Sequence, residues 1–207
     1  MRYVFFNSTG IPDEKERDIV RYVDVSKPGN PNKLDRAPFT AAQIRRLWEM
    51  EGGNEHVSVI LIMIYSGVRI GELLDLKKED VHLDERWFHI RQAKTAAGVR
   101  EVPIAEKIVP LMQKWMHRDC EFLICNSSGT RMSYYVFRDN YWKGIMDMMG
   151  MERRPHDTRH TCITMLTEAG VDPRIIRQIV GHKGQGVTEV VYTHVDLPAK
   201  LEAINRI

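Results

Sequence analysis

Three cysteines in 207 residues, Cys120, Cys125 and Cys162, form an odd set without paired spacing. They cannot supply a disulfide framework and point to a reducing compartment, the cytoplasm. Long apolar runs are also missing. The longest, Val57 to Tyr65, falls far short of the ~20 residues that span a bilayer, so no membrane partner is expected. Met1 to Gly10 lacks a sustained apolar core with a small-residue cleavage site, and no export signal is read there. Neither sign of charge dominates: 30 Lys and Arg stand against 28 Asp and Glu, a net charge of +2. That balance permits nucleic-acid binding without arguing for it. There is no internal repeat and no low-complexity tract. His117 with Cys120 and Cys125 spells H-x2-C-x4-C, but without a matching second pair this is read as incidental thiols rather than a metal site.

What is present suits one full hydrophobic core: 43% hydrophobic and 28% charged residues over 207 positions. The start differs from the rest. D-E-K-E-R-D at Asp13 to Asp18 and the loop-like S-K-P-G-N-P-N-K from Ser26 to Lys33 read as a tail plus linker over residues 1–37. A domain over residues 38–207 then begins sharply. Thr40 and Gln43 have capping-box spacing, Phe39 and Ile44 have hydrophobic-staple spacing, and a helix is expected from about Ala41 to Met50.

Val57 to Tyr65 is apolar nearly all round, the pattern of a helix buried on every side, and Ser66-Gly67 closes it. Ile70, Leu73, Leu74 and Leu76 supply the stripe of a short second helix in which Glu72 lies three residues from Arg69, on the same face. Trp87 to Arg91 and Val99 to Ile104 read as two strands joined by Q-A-K-T-A-A-G, which places Lys94 on or beside a hairpin. Helices are expected over Ala105–Arg118, Ser133–Met149, Pro155–Ala169 and Pro173–Val180, the last opened by Asp172-Pro173. The fold class is therefore α+β, mainly α with a small antiparallel β-sheet.

Along this frame runs an ordered set of phosphate-seeking side chains: Arg69, Lys94, His156, Arg159, His182 and Tyr192. Two guanidiniums can fork onto one phosphate, imidazoles and an ammonium can move protons, and a phenol can act as nucleophile. Each has an ordinary reading when taken alone. Arg69 could pair structurally with Glu72, and Lys94 could be a solvated hairpin lysine. His182 could cap a helix end, and Tyr192 could be a half-buried aromatic. His156 and Arg159, at i and i+3 on a helix start, point toward one spot suited to an anion. The same H-D-T-R-H also offers His156 and His160 at i and i+4, as in a zinc metalloprotease helix. Aspartate at 157 is a methylene shorter than the expected glutamate base, no third ligand is obvious downstream, and that reading leaves Arg69, Lys94 and Tyr192 unexplained.

Taken in order, Y-S-G-V-R-I-G-E-L-L-D-L, Lys94 in a hairpin, H-D-T-R-H, V-G-H and V-Y-T-H resemble the tyrosine recombinase (phage integrase) catalytic domain. The resemblance runs from about Pro38 to Tyr192, and within the family it is nearest to integrases of bacterial conjugative transposons and phages. It implies that Tyr192 attacks a scissile phosphate of double-stranded DNA at an attachment or core site, leaving a 3′-phosphotyrosyl link and a free 5′-hydroxyl. Arg69, Arg159 and His182 would grip the phosphate, with His156 as base, Lys94 as acid and Glu72 as a brace. It also implies no metal or other cofactor, a monomer in solution and a tetramer on DNA, and accessory bending or directionality factors. Such integrases carry an N-terminal core-binding domain, so residues 1–37 would be its last piece plus the linker. The C-terminal segment L-P-A-K-L-E-A-I-N-R-I is expected to form an amphipathic helix that docks on a neighbouring protomer. Two alternatives stay open: a DNA-binding regulator or inactive integrase fragment, and a type IB topoisomerase.

Overall fold

The computed structural model describes residues 37–91, 98–182 and 195–207, all within the unit Arg36–Ile207. Thr40 opens helix α1 (Ala41–Glu51) with a reciprocal cap. Its hydroxyl accepts the Gln43 amide at 3.2 Å, while the Gln43 side chain accepts the Thr40 amide at 3.0 Å. Two of the helix's unpaired N-terminal groups are satisfied in this way. Phe39 and Ile44, the staple pair, are both buried.

Asn54 caps α2 (Glu55–Ser66), and every residue from Val57 to Ser66 is buried. This is the axis of the core, as its all-round apolarity predicts. Each fully buried Val, Leu or Ile in it contributes ~1.5–3 kcal/mol relative to exposure. Helix α1 packs on one side of it and α7 (Pro155–Glu168) on another. Gly67 ends α2 in the left-handed conformation, φ 66°. The chain turns there into the short α3 (Ile70–Leu74).

A three-stranded antiparallel sheet follows: β1 (Val81–His82), β2 (Trp87–Ile90) and β3 (Arg100–Pro103), in that order. The register pairs Phe88 with Val102 and Ile90 with Arg100, and Phe88, Ile90 and Val102 are all buried. Alternation thus turns one face of the hairpin toward the core. Strand β1 was not legible in the sequence, because two residues carry no period. The expected helix Ala105–Arg118 begins instead with a 3₁₀ turn, Glu106–Ile108, before α4 (Val109–Met116). Pro110, in the first turn, has no amide to donate, which favours a helix start there.

The expected helix Ser133–Met149 is present with a break in its period: α5 (Tyr134–Val136), a π-helical stretch Phe137–Trp142, then α6 (Lys143–Met148). Phe137 and Trp142 are both buried, and the Trp142 indole donates to the Arg153 carbonyl at 2.8 Å. Helix α8 (Pro173–Val180) has the expected bounds, with Asp172 as N-cap and Gly181, φ 71°, as C-cap. Helix α9 (Leu197–Ile204) lies against β3 and α8 of its own chain. Its Ala203 and Ile204 are buried there. Among the described residues, no helix is long and apolar enough to cross a membrane.

Candidate functional site

The site forms where the end of α2, the start of α3, the first half of α7 and the end of α8 meet. Gly67 makes this meeting possible. A Cβ there would lie 2.9 Å from Val180 Cγ1 and 3.1 Å from Cys162 Sγ, so α7 and α8 approach the turn more closely than a side chain permits. The positive φ independently favours glycine.

Two residues on, Arg69 is the N-cap of α3 and Glu72 its third residue. The Glu72 carboxylate accepts the Arg69 amide at 3.0 Å and the Arg69 Nη1 at 2.6 Å. The expected shared face is therefore a bidentate brace between backbone and side chain. Glu72 is nearly buried whereas Arg69 is 41% exposed, so the guanidinium reaches toward solvent from a fixed root. Burial alone raises the Glu72 pKa, but its bonds to Arg100 and Arg69 prevail and hold the carboxyl below its ordinary value.

Arg100 carries no local sequence signal and was missed. Its Nη2 donates to Glu72 Oε2 at 3.0 Å, its Nη1 to the Gly98 carbonyl at 2.8 Å and its Nε to the Ile179 carbonyl at 2.7 Å. It ties β3, α3 and α8 together.

Arg159 is 1% exposed. Its Nη1 donates to the Gly67 carbonyl at 2.8 Å, while Nε and Nη2 are buried without a hydrogen-bond partner. A guanidinium in this state is costly, since its lost hydration is only partly replaced. Burial first, then the positive charges of Arg69 and Arg100, bring its pKa down to about 9 despite Glu72. An anion placed beside it would offset both effects.

One turn earlier, His156 is exposed, with its ring 4.8 Å from that of His160 in an edge-on contact. His182 follows the Gly181 cap of α8 and also faces solvent; its amide bonds the Arg177 carbonyl at 3.1 Å. Partial burial lowers the His182 pKa, helped by Arg159, Arg69, His156 and His160. The long-range couplings show that Arg69, His156, Arg159 and His182 share one electrostatic neighbourhood. Lys94 and Tyr192 lie outside the described residues.

The zinc alternative loses its base. Asp157 is buried at the start of α7, where its carboxylate accepts the Arg154 amide at 2.8 Å as a helix cap. No group of three His, Cys, Asp or Glu side chains fit to hold a metal occurs among the described residues. The site that remains is an array of cations and imidazoles around one acid. It can bind an oxyanion and exchange protons beside it.

Comparison with known proteins shows the family. The phage integrase family profile matches residues 39–197. The tyrosine recombinase XerA of Thermococcus kodakarensis is 30% identical over 92% of this chain and 67% of its own length. A crystal structure of XerA recombinase superposes with a TM-score of 0.64 at 25% identity, covering 91% of this chain and 69% of that one. The Tn1549 transposon integrase, solved with a circular intermediate DNA, gives a TM-score of 0.65 at 21% identity over 84% of this chain and 67% of that one. The chain belongs to the phage integrase family of tyrosine-type, site-specific recombinases.

Proposed function

We propose that residues 38–207 act as the strand-transfer domain of an integrase that inserts or excises a mobile element, with Tyr192 as the nucleophile. Support comes chiefly from Arg159, a buried guanidinium with two unpartnered nitrogens next to the braced Arg69. A scissile phosphodiester would satisfy those donors and restore the charge balance that burial upsets. Arg69, anchored by Glu72, would take a second non-bridging oxygen, and His182 would donate a third hydrogen bond. Donors held in place before the reaction stabilise the charge that spreads over the phosphoryl oxygens.

A phenol with an ordinary pKa of ~10 must lose its proton as it attacks, and His156 is the assigned base. Lys94 would protonate the departing 5′-oxygen. The bond energy is retained in the 3′-phosphotyrosine, so a 5′-hydroxyl from another strand can reseal the DNA. The cation array supplies the charge neutralisation that this transfer needs. Exchange between two duplexes takes four active sites, hence a tetramer on double-stranded DNA formed from monomers in the cytoplasm. Residues 1–37 would serve as tail and linker to a core-binding domain, and accessory bending or directionality factors would select integration or excision.

The test is a nicked suicide duplex carrying an end of the element. The wild-type chain should become covalently attached to the 3′-phosphate, and Tyr192→Phe should not. A chain that binds the site but forms no adduct would be a DNA-binding regulator instead.

A further inference from the structure

Two buried arginines of this site are served in opposite ways. All three nitrogens of Arg100 are occupied, by Glu72 and by the carbonyls of Gly98 and Ile179. Two of the three on Arg159 are empty. Glu72 stands close enough to both for its charge to act on each. An ion pair strengthens as water is excluded, so a carboxylate free to choose would be drawn to Arg159, the guanidinium with the least compensation. It does not go there, because Arg69 and Arg100 together engage both of its oxygens.

We propose that Arg100 is a positioning residue that keeps Glu72 on Arg69 and away from Arg159, so that the Arg159 guanidinium stays open for a phosphate. The anchor also extends along the chain. Arg100 opens β3, and its bond to the Ile179 carbonyl fixes the end of α8 three residues before His182. One side chain thus ties together the segments that bear Arg69 and His182. This role rests on the assignment of Arg159 to the phosphate.

The test uses the full chain and the nicked suicide duplex, comparing adduct rates for the wild type, Arg100→Gln, Glu72→Gln and the double variant. Arg100→Gln should slow attachment about 10-fold. Adding Glu72→Gln should recover several-fold of that loss, because the released carboxylate that competes for Arg159 is then neutral. A double variant as slow as Arg100→Gln, or slower, overturns the proposal and leaves Arg100 a merely structural contact. Arg100→Lys has a single ammonium that cannot serve the carboxylate and both carbonyls. It should show a smaller loss relieved in the same way, which keeps the comparison open if Arg100→Gln does not fold. A crystal structure of the Arg100 variant gives a readout without turnover: Glu72 is expected within ~4 Å of Arg159, and a carboxylate still on Arg69 alone overturns the inference. Absence of an adduct from the wild type would instead fail the strand-transfer assignment.

Discussion

The guanidinium of Arg159 donates to the carbonyl oxygen of Gly67 at 2.8 Å, across 92 positions of sequence. That one bond joins the turn after the central helix to the centre of the candidate site. Gly67 holds its carbonyl there only because it accepts φ 66° and leaves room for Val180 and Cys162. Gly67→Ala should therefore cost about 2–4 kcal/mol through left-handed strain and overpacking combined. Its effect on DNA attachment should exceed that of an equally destabilising change such as Leu111→Ala, since it also displaces the partner of Arg159. Denaturant midpoints and adduct rates measured on both variants check this. Equal adduct rates at equal stability would make Gly67 a packing residue only.

Arg159 itself should show stability and activity moving in opposite directions. Its buried charge lacks two hydrogen-bond partners, and replacement of poorly compensated buried charge by an apolar side chain of similar length is often stabilising by ~1–4 kcal/mol. Arg159→Met should raise the denaturant midpoint of the DNA-free chain while lowering the adduct rate by at least ~10²-fold. A lowered midpoint would mean that the bond to Gly67 outweighs the desolvation of the rest of the guanidinium.

The parts of this structure that could be read from sequence are those set by near neighbours. The Thr40–Gln43 cap, the all-round apolar α2, the Asp172-Pro173 start of α8 and the Arg69–Glu72 face each rest on residues within one or two helical turns. Arg100 could not be found that way. Its partners Glu72 and Ile179 lie 28 and 79 positions away, and a lone arginine at the start of a strand has the look of surface charge. The π-helical stretch at Phe137–Trp142 was hidden for a similar reason. Phe137 and Trp142 are both buried, and that burial is a tertiary property which an apolar count over a regular helix does not contain. The order of the site residues was legible. That Arg159 would be buried and only one-third satisfied was not, because burial depends on how α2 and α8 close over α7.

Cysteine chemistry offers a test of that closure without DNA. Full burial pushes the Cys162 thiol up to about 12, and the nearby Arg159 charge only partly opposes this. Burial also raises the Cys125 pKa, with further contributions from Cys120, while Cys120 itself is partly exposed. Since the thiolate is the reactive form, a thiol reagent at pH 8 should modify Cys120 first, and Cys162 at least ~10³-fold more slowly until the chain unfolds. Peptide mass spectrometry of a timed reaction reads this directly. Early labelling of Cys162 would show that the α2–α7 contact around Gly67 opens in the native state.

The last prediction concerns acid. His182 has a folded-state pKa below its ordinary 6.5 because of burial and the neighbouring Arg159 and Arg69, so the unfolded chain binds its proton more readily. Stability therefore rises with pH through the window between the folded value and 6.5, and acidification below 6.5 costs free energy. His56 is shifted in the same direction by burial, so the informative quantity is the difference between variants. His182→Gln should flatten the loss of thermal stability between pH 7 and pH 5, and His56→Gln should flatten it separately and additively. Inorganic phosphate should raise the His182 pKa by placing an anion among the cations that depress it, an upfield-to-downfield change in its ring signals that NMR can follow at fixed pH. The same titration on Arg159→Met should move His182 less, because one of the two charges that would hold the phosphate is gone. An unchanged His182 response there would place the anion elsewhere and remove Arg159 from the phosphate grip.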